Sequence, residues 1–432
     1  MSEKRLNMRS HEARVALYGN FGIGNLGNEC TLAAAIQGFS RHIERGRLFG
    51  IVADAAGLSA VHGIEGVAID QAETGPETQE AGHTRPFAGR VFRRLAHEWR
   101  ELRRARMTLR DTSALFVVGT GLLEDDTGAL GWFIALFRWI LAARLSGCQV
   151  GFVSVGAGPL RPGLPTLLVR ATLKLAHYVS YRDETGRNSM KMAGVNVEGH
   201  GVVPDLAFSL PSVEPLVDAS DSLDGRAPRV AIGAMEVEEL VSSPGEREDC
   251  MQRMAECVVA LVRGGAILTI VYGDVKHDHL FAEELLGRCH ERLDAGCRGA
   301  VTFKHTLGWE DLVAELARQD VVVAARYHNQ ILALLQGKPM VALAYHPKSL
   351  DLAAQFGLEQ CAEHLLAIDH ERLTRHIREL WENRAPFAVN IRDRVACAKT
   401  DLSGQFHKLA GYCEESGAQE RAARSHTFGG KQ

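Results

Sequence analysis

The strongest constraint on the fold is an alternation of short apolar runs with helix-like patterns. In the first half of the chain, the apolar runs are residues 15–18, 48–53, 66–69, 114–118, 150–155 and 178–181. Each is followed by a stretch with helical periodicity or by a turn rich in glycine. Short buried strands that alternate with helices are typical of α/β proteins with mostly parallel sheets.

The alternation stops at residues 211–228, which are rich in Pro, Ser, Asp and Gly, and then resumes. We therefore predict an α/β fold of two Rossmann-like domains that face a cleft, with ligands at the carboxyl ends of the strands. The predicted division is an N-terminal domain 1–210, a linker 211–228, a C-terminal domain 229–384, and a C-terminal helical extension and polar tail 385–432, disordered after Glu414.

Composition excludes several classes of function. A net charge of −4 argues against a general nucleic-acid binder. The nine cysteines contain no C-x-x-C pair, which argues against a zinc site or a disulfide framework and fits a reducing compartment. The most apolar stretch, residues 129–145, carries two arginines and is too short to span a membrane. With no secretory signal visible, we expect a cytoplasmic protein.

Residues 73–113 read as a variable basic insertion in the N-terminal domain. Within it, residues 92–110 predict a helix that gathers its apolar side chains on one face, with arginines around them. These apolar residues are Phe92, Leu95, Ala96, Trp99 and Leu102. One interpretation is an ordinary amphipathic helix with a solvated basic face. The other is peripheral contact with an anionic membrane, at its inner face, or with a lipid-linked substrate.

A glycine-rich loop at residues 19–29 joins the first predicted strand to a helix. Glycines allow close approach of the backbone to a ligand, and the helix N-terminus offers N–H groups to an anion. The G-x-G-x-x-G spacing from Gly22 to Gly27 also matches a dinucleotide fingerprint. However, the three asparagines in the loop are unusual there, and Asp54 lies beyond the expected spacing of the ribose-binding acid.

Four charged or titratable residues follow predicted strands directly. Arg326 and His328 share one turn, Lys348 follows the next strand, and Arg182 follows a strand of the first domain. Arginine suits carboxylate or phosphate, and histidine titrates near neutral pH. The structural alternatives are a capped helix start for the turn, a solvated loop lysine, and a surface salt bridge of Arg182 to a neighbouring carboxylate.

Together these loops resemble those of the polysaccharide pyruvyl transferase family, from about residue 15 to residue 357, with 73–113 the least matched. The segments that carry the resemblance are the G-N-x-G-x-x-N-x-G-x-E loop of residues 19–29, Gly119-Thr120-Gly121-Leu122, Gly156-Ala157-Gly158-Pro159-Leu160, Arg182-Asp183-Glu184, Pro204-Asp205-Leu206-Ala207, Arg326-Tyr327-His328 and Tyr345-His346-Pro347-Lys348. Their order and their placement at strand ends make the joint signal stronger than any one motif.

The resemblance implies a fold like the two-domain glycosyltransferase-B architecture. It also implies transfer of the pyruvyl unit of phosphoenolpyruvate onto two hydroxyls of a sugar, which gives a cyclic ketal and phosphate. The acceptor would be a cell-surface polysaccharide or its lipid-linked precursor, and neither a cofactor nor a metal is expected.

Residue roles follow from setting that reaction against the loops. Cations from three loops, Arg182, Arg326 and Lys348, would bind the donor. Backbone around Gly22, Asn25 and Gly121 would assist them. His328 would act as general acid toward the enol carbon, or as base toward a sugar hydroxyl.

The catalytic set would also contain Arg326, Asn28 and Glu29, and here the chain departs from the family pattern. The family's G-D-E aspartate is Asn28, which can hydrogen-bond but cannot accept a proton. Glu29 would compensate in part, and a helix N-cap is the structural alternative for Asn28. Two other functions therefore stay open: a nucleotide-sugar glycosyltransferase of the same fold, and a non-catalytic member of the family in glycan biosynthesis.

Overall fold

In the computed structural model, residues 13–70, 87–125, 130–212 and 226–428 are described, without the side chains of 87–91 and 414–428. The chain divides into two compact units. The first unit contains the residues up to Ile23, Ala35–Asp205 and the chain from Ser403. The second contains Gly24–Ala34 and Leu206–Leu402.

The first unit is built on a parallel sheet with the order β3-β2-β1-β4-β5-β6-β7. Its strands are β1 Arg14–Tyr18, β2 Leu48–Val52, β3 Glu65–Ala68, β4 Thr112–Val118, β5 Gln149–Val155, β6 Tyr178–Tyr181 and β7 Gly201–Val202. Every residue of β2 and β4 is buried, which explains why these strands read as unbroken apolar runs.

The helices that begin in this half of the chain are α1 Leu26–Ser40, α2 Ala55–His62, α3 Phe87–Thr108, α4 Leu130–Leu145, α5 Leu164–Lys174 and α6 Glu184–Met192. Aromatic packing locks α1 onto the sheet, since the ring of Phe39 stacks on Phe116 with centroids 4.9 Å apart. Asp54 caps α2 by accepting from the backbone of Ala56 and Gly57, which assigns that carboxylate a structural role.

The second unit holds a parallel sheet with the order β10-β9-β8-β11-β12-β13. Its strands are β8 Arg229–Ala234, β9 Ile267–Tyr272, β10 Val301–Phe303, β11 Val321–Ala324, β12 Met340–Ala344 and β13 Ala362–His364. Its helices are α7 Pro244–Arg263, α8 His279–Arg292, α9 Trp309–Ala317, α10 Tyr327–Leu335, α11 Pro347–Gln355 and α12 His370–Glu382. The predicted alternation of strands and helices is therefore present in both halves.

The C-terminal region differs from the sequence-based expectation. A final helix, α13 Arg384–Phe428, continues well past Glu414, where we expected a disordered tail. Its second half belongs to the first unit: the ring of Phe406 meets Phe39 at 5.1 Å, and Gln405 accepts a hydrogen bond of 2.7 Å from Ser180. These long-range contacts attach the part of α13 that precedes Glu414 to the first unit.

One more domain boundary differs from the predicted one, and two predicted segments lie partly outside the described residues. Residues Gly24–Ala34 group with the second unit, although the sequence placed them in the first domain. Most of the predicted linker, residues 213–225, and the first part of the predicted insertion, residues 73–86, lie outside the described residues.

A buried lysine gives the second unit a testable pH dependence. Lys338 precedes β12 and is only 9% exposed, and burial lowers its pKa to about 8, with Arg226 and Arg392 acting in the same direction and Asp320 against it. Because its unfolded pKa is higher, the unfolded chain binds the proton better, and stability should rise with pH above about 8.

Replacement of this lysine should remove that dependence. We expect Lys338→Met to raise the free energy of unfolding at pH 7 by about 1–3 kcal/mol, because no charge is then buried. The gain should shrink toward pH 10, as measured by urea unfolding at both pH values. The exposed Lys191→Met provides the control. A gain that does not change with pH would contradict the assignment.

Candidate functional site

In the second unit, the N-terminus of α1 is joined to the loop that follows β9. The backbone N–H of Leu26 donates to Gly273 O at 3.0 Å, and that of Val275 donates to Gly24 O at 2.9 Å. Residues from the glycine-rich loop are thereby held at the carboxyl end of the second sheet, where ligands bind in parallel α/β proteins.

Asn25 caps helix α1. Its Oδ1 accepts from the backbone N–H of Asn28 at 3.1 Å, and its Nδ2 donates to Asp274 Oδ2 at 3.3 Å. The structural alternative considered for Asn28, a helix N-cap, is therefore wrong, because Asn25 fills that place. Both ends of the Asn25 amide serve internal hydrogen bonds. The donor-binding role predicted for the backbone around Asn25 stays a prediction.

His328 is held against the first turn of α1. Its Nε2 lies 3.1 Å from the Oγ1 of Thr31, a fully buried residue, and the same hydroxyl donates to Gly27 O at 3.0 Å. A carbonyl can only accept, so the hydroxyl hydrogen goes to Gly27, and Thr31 accepts from the Nε2–H of His328. In the neutral ring the proton is then on Nε2, and Nδ1 is the unprotonated nitrogen.

Gly27 makes room for this ring. A Cβ at position 27 would lie 2.3 Å from Nδ1 and 2.4 Å from Cγ of His328. Real Cβ contacts are not that short, and the neighbour is the rigid ring itself rather than the end of a flexible chain. The glycine is therefore needed for the observed position of the histidine.

Arg326 is anchored two residues before His328. Its Nε and Nη2 donate to the two carboxylate oxygens of Asp278 at 2.9 and 2.5 Å. Burial disfavours the charged guanidinium, but the hydrogen bonds and negative charge of Asp278 outweigh it, and the pKa of Arg326 lies above its ordinary value. The Asp278 side chain is fully buried while that of Arg326 is 25% exposed, so the pair fixes a cation whose edge still reaches solvent.

Lys348 lies at the start of α11, on the loop after β12. His346 caps that helix by accepting from the backbone N–H of Lys348, and Pro347 occupies the first turn. The loop is close enough to the preceding turn that Tyr345 acts electrostatically on Arg326. Lys348 is half-buried, which does not match the solvated loop lysine considered as its structural alternative.

Asn28 and Glu29 lie in the first turn of α1, and both are half-buried. Glu29 suits this place because a carboxylate near a helix N-terminus interacts favourably with the helix dipole. Their contact with a substrate stays a prediction.

In the first unit, Arg182 lies in a buried ionic cluster. Its guanidinium is within 3.3 Å of Glu124 and 3.5 Å of both Asp183 and Asp205. All four side chains are at most 6% exposed. The surface salt bridge considered as its alternative is thus a buried one. Because three carboxylates surround one guanidinium, the cluster offers no excess positive charge to a dianionic donor.

The two predicted donor-binding glycines of this unit have different surroundings. Gly22 has a φ of +82°, and a Cβ there would lie 2.6 Å from the Cβ of Asp54, so its backbone demands glycine. Gly121 is exposed, and a Cβ at this position would lie 3.0 Å from Oε2 of Glu124. Their predicted contact with a donor is not tested by these features.

A family model described as polysaccharide pyruvyl transferase matches residues 63–347, which is more than half of the chain. The chain belongs to the polysaccharide pyruvyl transferase family. The family resemblance of the loops is confirmed by this match, which includes Gly121, Arg182, Arg326 and His328. The glycine-rich loop and Lys348 lie outside the matched residues. No curated protein matches the chain.

Several solved structures are similar in fold to this pyruvyl transferase family member. HepE of Anabaena, in complex with UDP and glucose, has 13% identity and a TM-score of 0.54 over 92% of this chain and 99% of that one. The UDP-GlcNAc 2-epimerase of Methanocaldococcus jannaschii has 11% identity and a TM-score of 0.54 over 85% and 92%. S. aureus MnaA with UDP has 10% identity and a TM-score of 0.53 over 88% and 90%.

At such identities the likeness concerns the fold alone. It confirms the predicted class, two parallel-sheet α/β domains of the glycosyltransferase-B-like kind. Among the helices of the described residues, none is long and apolar enough to cross a membrane.

The sequence analysis did not identify the residues that hold the predicted site residues of this family member in place. Thr31, Asp274 and Asp278 are buried polar residues that hold His328, Asn25 and Arg326. Asp274 and Asp278 follow β9 as Arg326 follows β11, so their position at a strand end was the available signal. Their partners lie more than 40 residues away and could not be read from spacing.

A group of candidate metal ligands was also missed. We predicted no metal-ligand set, yet the ligand atoms of His279, Glu283 and His305 lie within 4.8 Å of one another. The first two stand one turn apart on α8, and the third follows β10. The group is half-buried to exposed, and the reaction implied by the family resemblance needs no metal.

Proposed function

We propose that this protein transfers the pyruvyl unit of phosphoenolpyruvate to two hydroxyls of a sugar, in a cell-surface polysaccharide or its lipid-linked precursor. Family membership supports a transferase of polysaccharide chemistry. The observation that carries the finer proposal is the turn after β11, where an anchored arginine and an oriented histidine stand two residues apart. No cofactor is part of the proposal.

The donor carries a carboxylate and a phosphate on a small skeleton, so its binding requires cations at fixed positions. Arg326 fits because Asp278 holds its guanidinium in place before the donor arrives. Lys348, on the adjacent loop, would supply the second positive charge and would neutralise charge on the leaving phosphate.

The reaction needs a proton donor at the methylene carbon of phosphoenolpyruvate. We assign this role to His328. Once the methylene becomes a methyl group, one sugar hydroxyl adds to C2, phosphate leaves with its electron pair, and the second hydroxyl adds to C2 to close the ketal. Of the two hydroxyl protons, one replaces the proton that His328 gave and the other leaves with phosphate. Asn28 would hydrogen-bond the diol, with Glu29 beside it as the nearest carboxylate of the turn.

A nucleotide-sugar glycosyltransferase is the second candidate, because two solved structures of similar fold, S. aureus MnaA and HepE of Anabaena, contain UDP. In that case, a nucleotide diphosphate would occupy the site of Arg326 and Lys348. Thermal stabilisation by UDP-sugars, without stabilisation by phosphoenolpyruvate, would favour this candidate.

The deciding experiment incubates the protein with phosphoenolpyruvate and a panel of free and lipid-linked glycans. Phosphate release together with a glycan that gains one pyruvyl ketal by mass supports the proposal. If phosphoenolpyruvate neither stabilises the protein nor is consumed, the proposal fails. Binding without turnover on any glycan would indicate the non-catalytic family member.

Arg326→Gln should weaken phosphoenolpyruvate binding about 10- to 100-fold, because charge-assisted hydrogen bonds contribute about 1.5–3 kcal/mol. Glutamine can still donate to Asp278, which protects the fold. The matched control is Arg226→Gln. Arg226 binds Asp320 through two hydrogen bonds and is similarly exposed, but the pair precedes β8 and β11, at the amino ends of the strands, whereas Arg326 follows the carboxyl end of β11. Calorimetric titration measures both, and an equal loss in the two variants would refute the role.

The protein would act in the cytoplasm, on a lipid-linked acceptor at the inner face of the membrane. The predicted peripheral contact with anionic lipid through residues 92–110 is independent of this reaction and concerns the exposed face of α3.

A further inference from the structure

Helix α3 turns apolar side chains toward solvent. Phe92, Leu95, Trp99 and Met107 are 74%, 63%, 70% and 64% exposed. The sequence had placed three of them on one helical face, and an ordinary amphipathic helix would bury that face. Here the buried face is the opposite one, which contains Ala105. A contiguous set of large exposed apolar side chains marks an interaction surface.

The buried face of α3 also accounts for the acidic residues of the helix. Glu101 binds Arg104 at 2.6 Å, and Glu98 binds Arg138 at 2.8 Å. Arg104 further donates to the backbone oxygens of Ala68 and Ile69. These contacts fix the rotation of the helix, so the outward face carries cations and apolar groups and none of its carboxylates.

The outward face includes a groove of about 560 Å³. It is lined by Trp99, Leu102, Arg103, Arg106, Met107 and Arg110 of α3 and the following turn, and by Leu145 and Ser146 at the end of α4. The three arginines are exposed, and among the described residues they form no ion pair. Guanidinium groups bind phosphate, whereas an indole beside aliphatic chains suits the boundary between headgroups and acyl chains.

We propose that this groove binds the headgroups of anionic phospholipids, with the outward face of α3 lying in the bilayer interface. Trp99, Leu95 and Phe92 would enter the headgroup region, and Arg103 and Arg106 would bind lipid phosphates. Charge selects this occupant, because each arginine near an anionic surface contributes about 1 kcal/mol. The inference rests on the proposed function only for the source of the membrane, namely the lipid-linked acceptor.

The test is flotation of the full chain with vesicles of phosphatidylcholine alone or mixed with phosphatidylglycerol, at low and high salt and without substrate. We expect binding to the anionic vesicles that weakens with salt. Arg103→Gln with Arg106→Gln should reduce it about 10- to 30-fold, the loss of two arginine contributions. Arg375→Gln with Arg378→Gln is the matched control, an exposed pair of arginines at the same spacing on α12.

Trp99→Ala should weaken binding to the anionic vesicles at high salt as well as at low salt, because the contribution of the indole is apolar. Lack of binding to anionic vesicles, equal binding to neutral ones, or equal loss in the control pair overturns the proposal. So does concentration-dependent self-association that Trp99→Ala abolishes, since the groove would then be covered by a second copy. Phosphoenolpyruvate turnover on a water-soluble acceptor should be unchanged in the Arg103/Arg106 variant, which separates this failure from failure of the proposed function.

Discussion

His328→Ala is expected to lower turnover of phosphoenolpyruvate about 100- to 10,000-fold, the usual contribution of a positioned general acid or base. Donor affinity should change little, because the cations that bind the donor are untouched. Steady-state phosphate release and calorimetric donor binding measure the two separately. A variant that loses both in equal measure would show that His328 binds the donor rather than transferring a proton.

The same loss should follow when the histidine is kept and only displaced. In Gly27→Ala the new methyl group would lie 2.3 and 2.4 Å from the ring atoms Nδ1 and Cγ of His328, so the ring must leave its place beside Thr31. Gly287→Ala is the matched control, since position 287 is also helical and has nothing within 4 Å of a new Cβ. We expect Gly287→Ala to keep full activity, with stability equal or higher by up to about 1 kcal/mol. Equal activity in the two variants would mean that the observed ring position does not matter.

Much of the fold could be predicted because its signals are local. Central strands such as β4 are buried throughout and read as unbroken apolar runs, and glycine-rich turns follow them. The turn of Arg326 and His328 was found for the same reason, since the carboxyl end of a parallel strand is where ligands bind. The attachment of α13 to the first unit was not found, because Phe406 and Gln405 contact residues far away in sequence.

The orientation of side chains was the least predictable property. The periodicity of α3 identified an apolar face. Which face is buried is shown only by contacts with other elements: Arg104 donates to Ala68 O and Ile69 O, and Glu98 pairs with Arg138. The surroundings of Arg182 were also not predictable. An arginine at a strand end predicts an anion site. Two of its three carboxylate neighbours, Glu124 and Asp205, lie more than 20 residues away and could not be paired with it from the sequence.

Arg182→Met is therefore expected to destabilise the protein by about 3–5 kcal/mol, because it leaves Glu124, Asp183 and Asp205 buried without a countercharge. Urea unfolding should show the loss. Arg187→Met, which removes only a pair with the exposed Glu184, should cost less than about 1 kcal/mol.

Arg182→Lys separates the structural role from the predicted donor-binding role. It keeps a positive charge in the cluster, so it should fold, though with reduced stability because lysine cannot reach three carboxylates with a planar fork. Since the cluster surrounds the guanidinium and only 3% of its side chain is exposed, the affinity of the folded variant for phosphoenolpyruvate should stay within about threefold of the original. A stable Arg182→Lys protein that has lost donor binding would instead place Arg182 in direct contact with the donor.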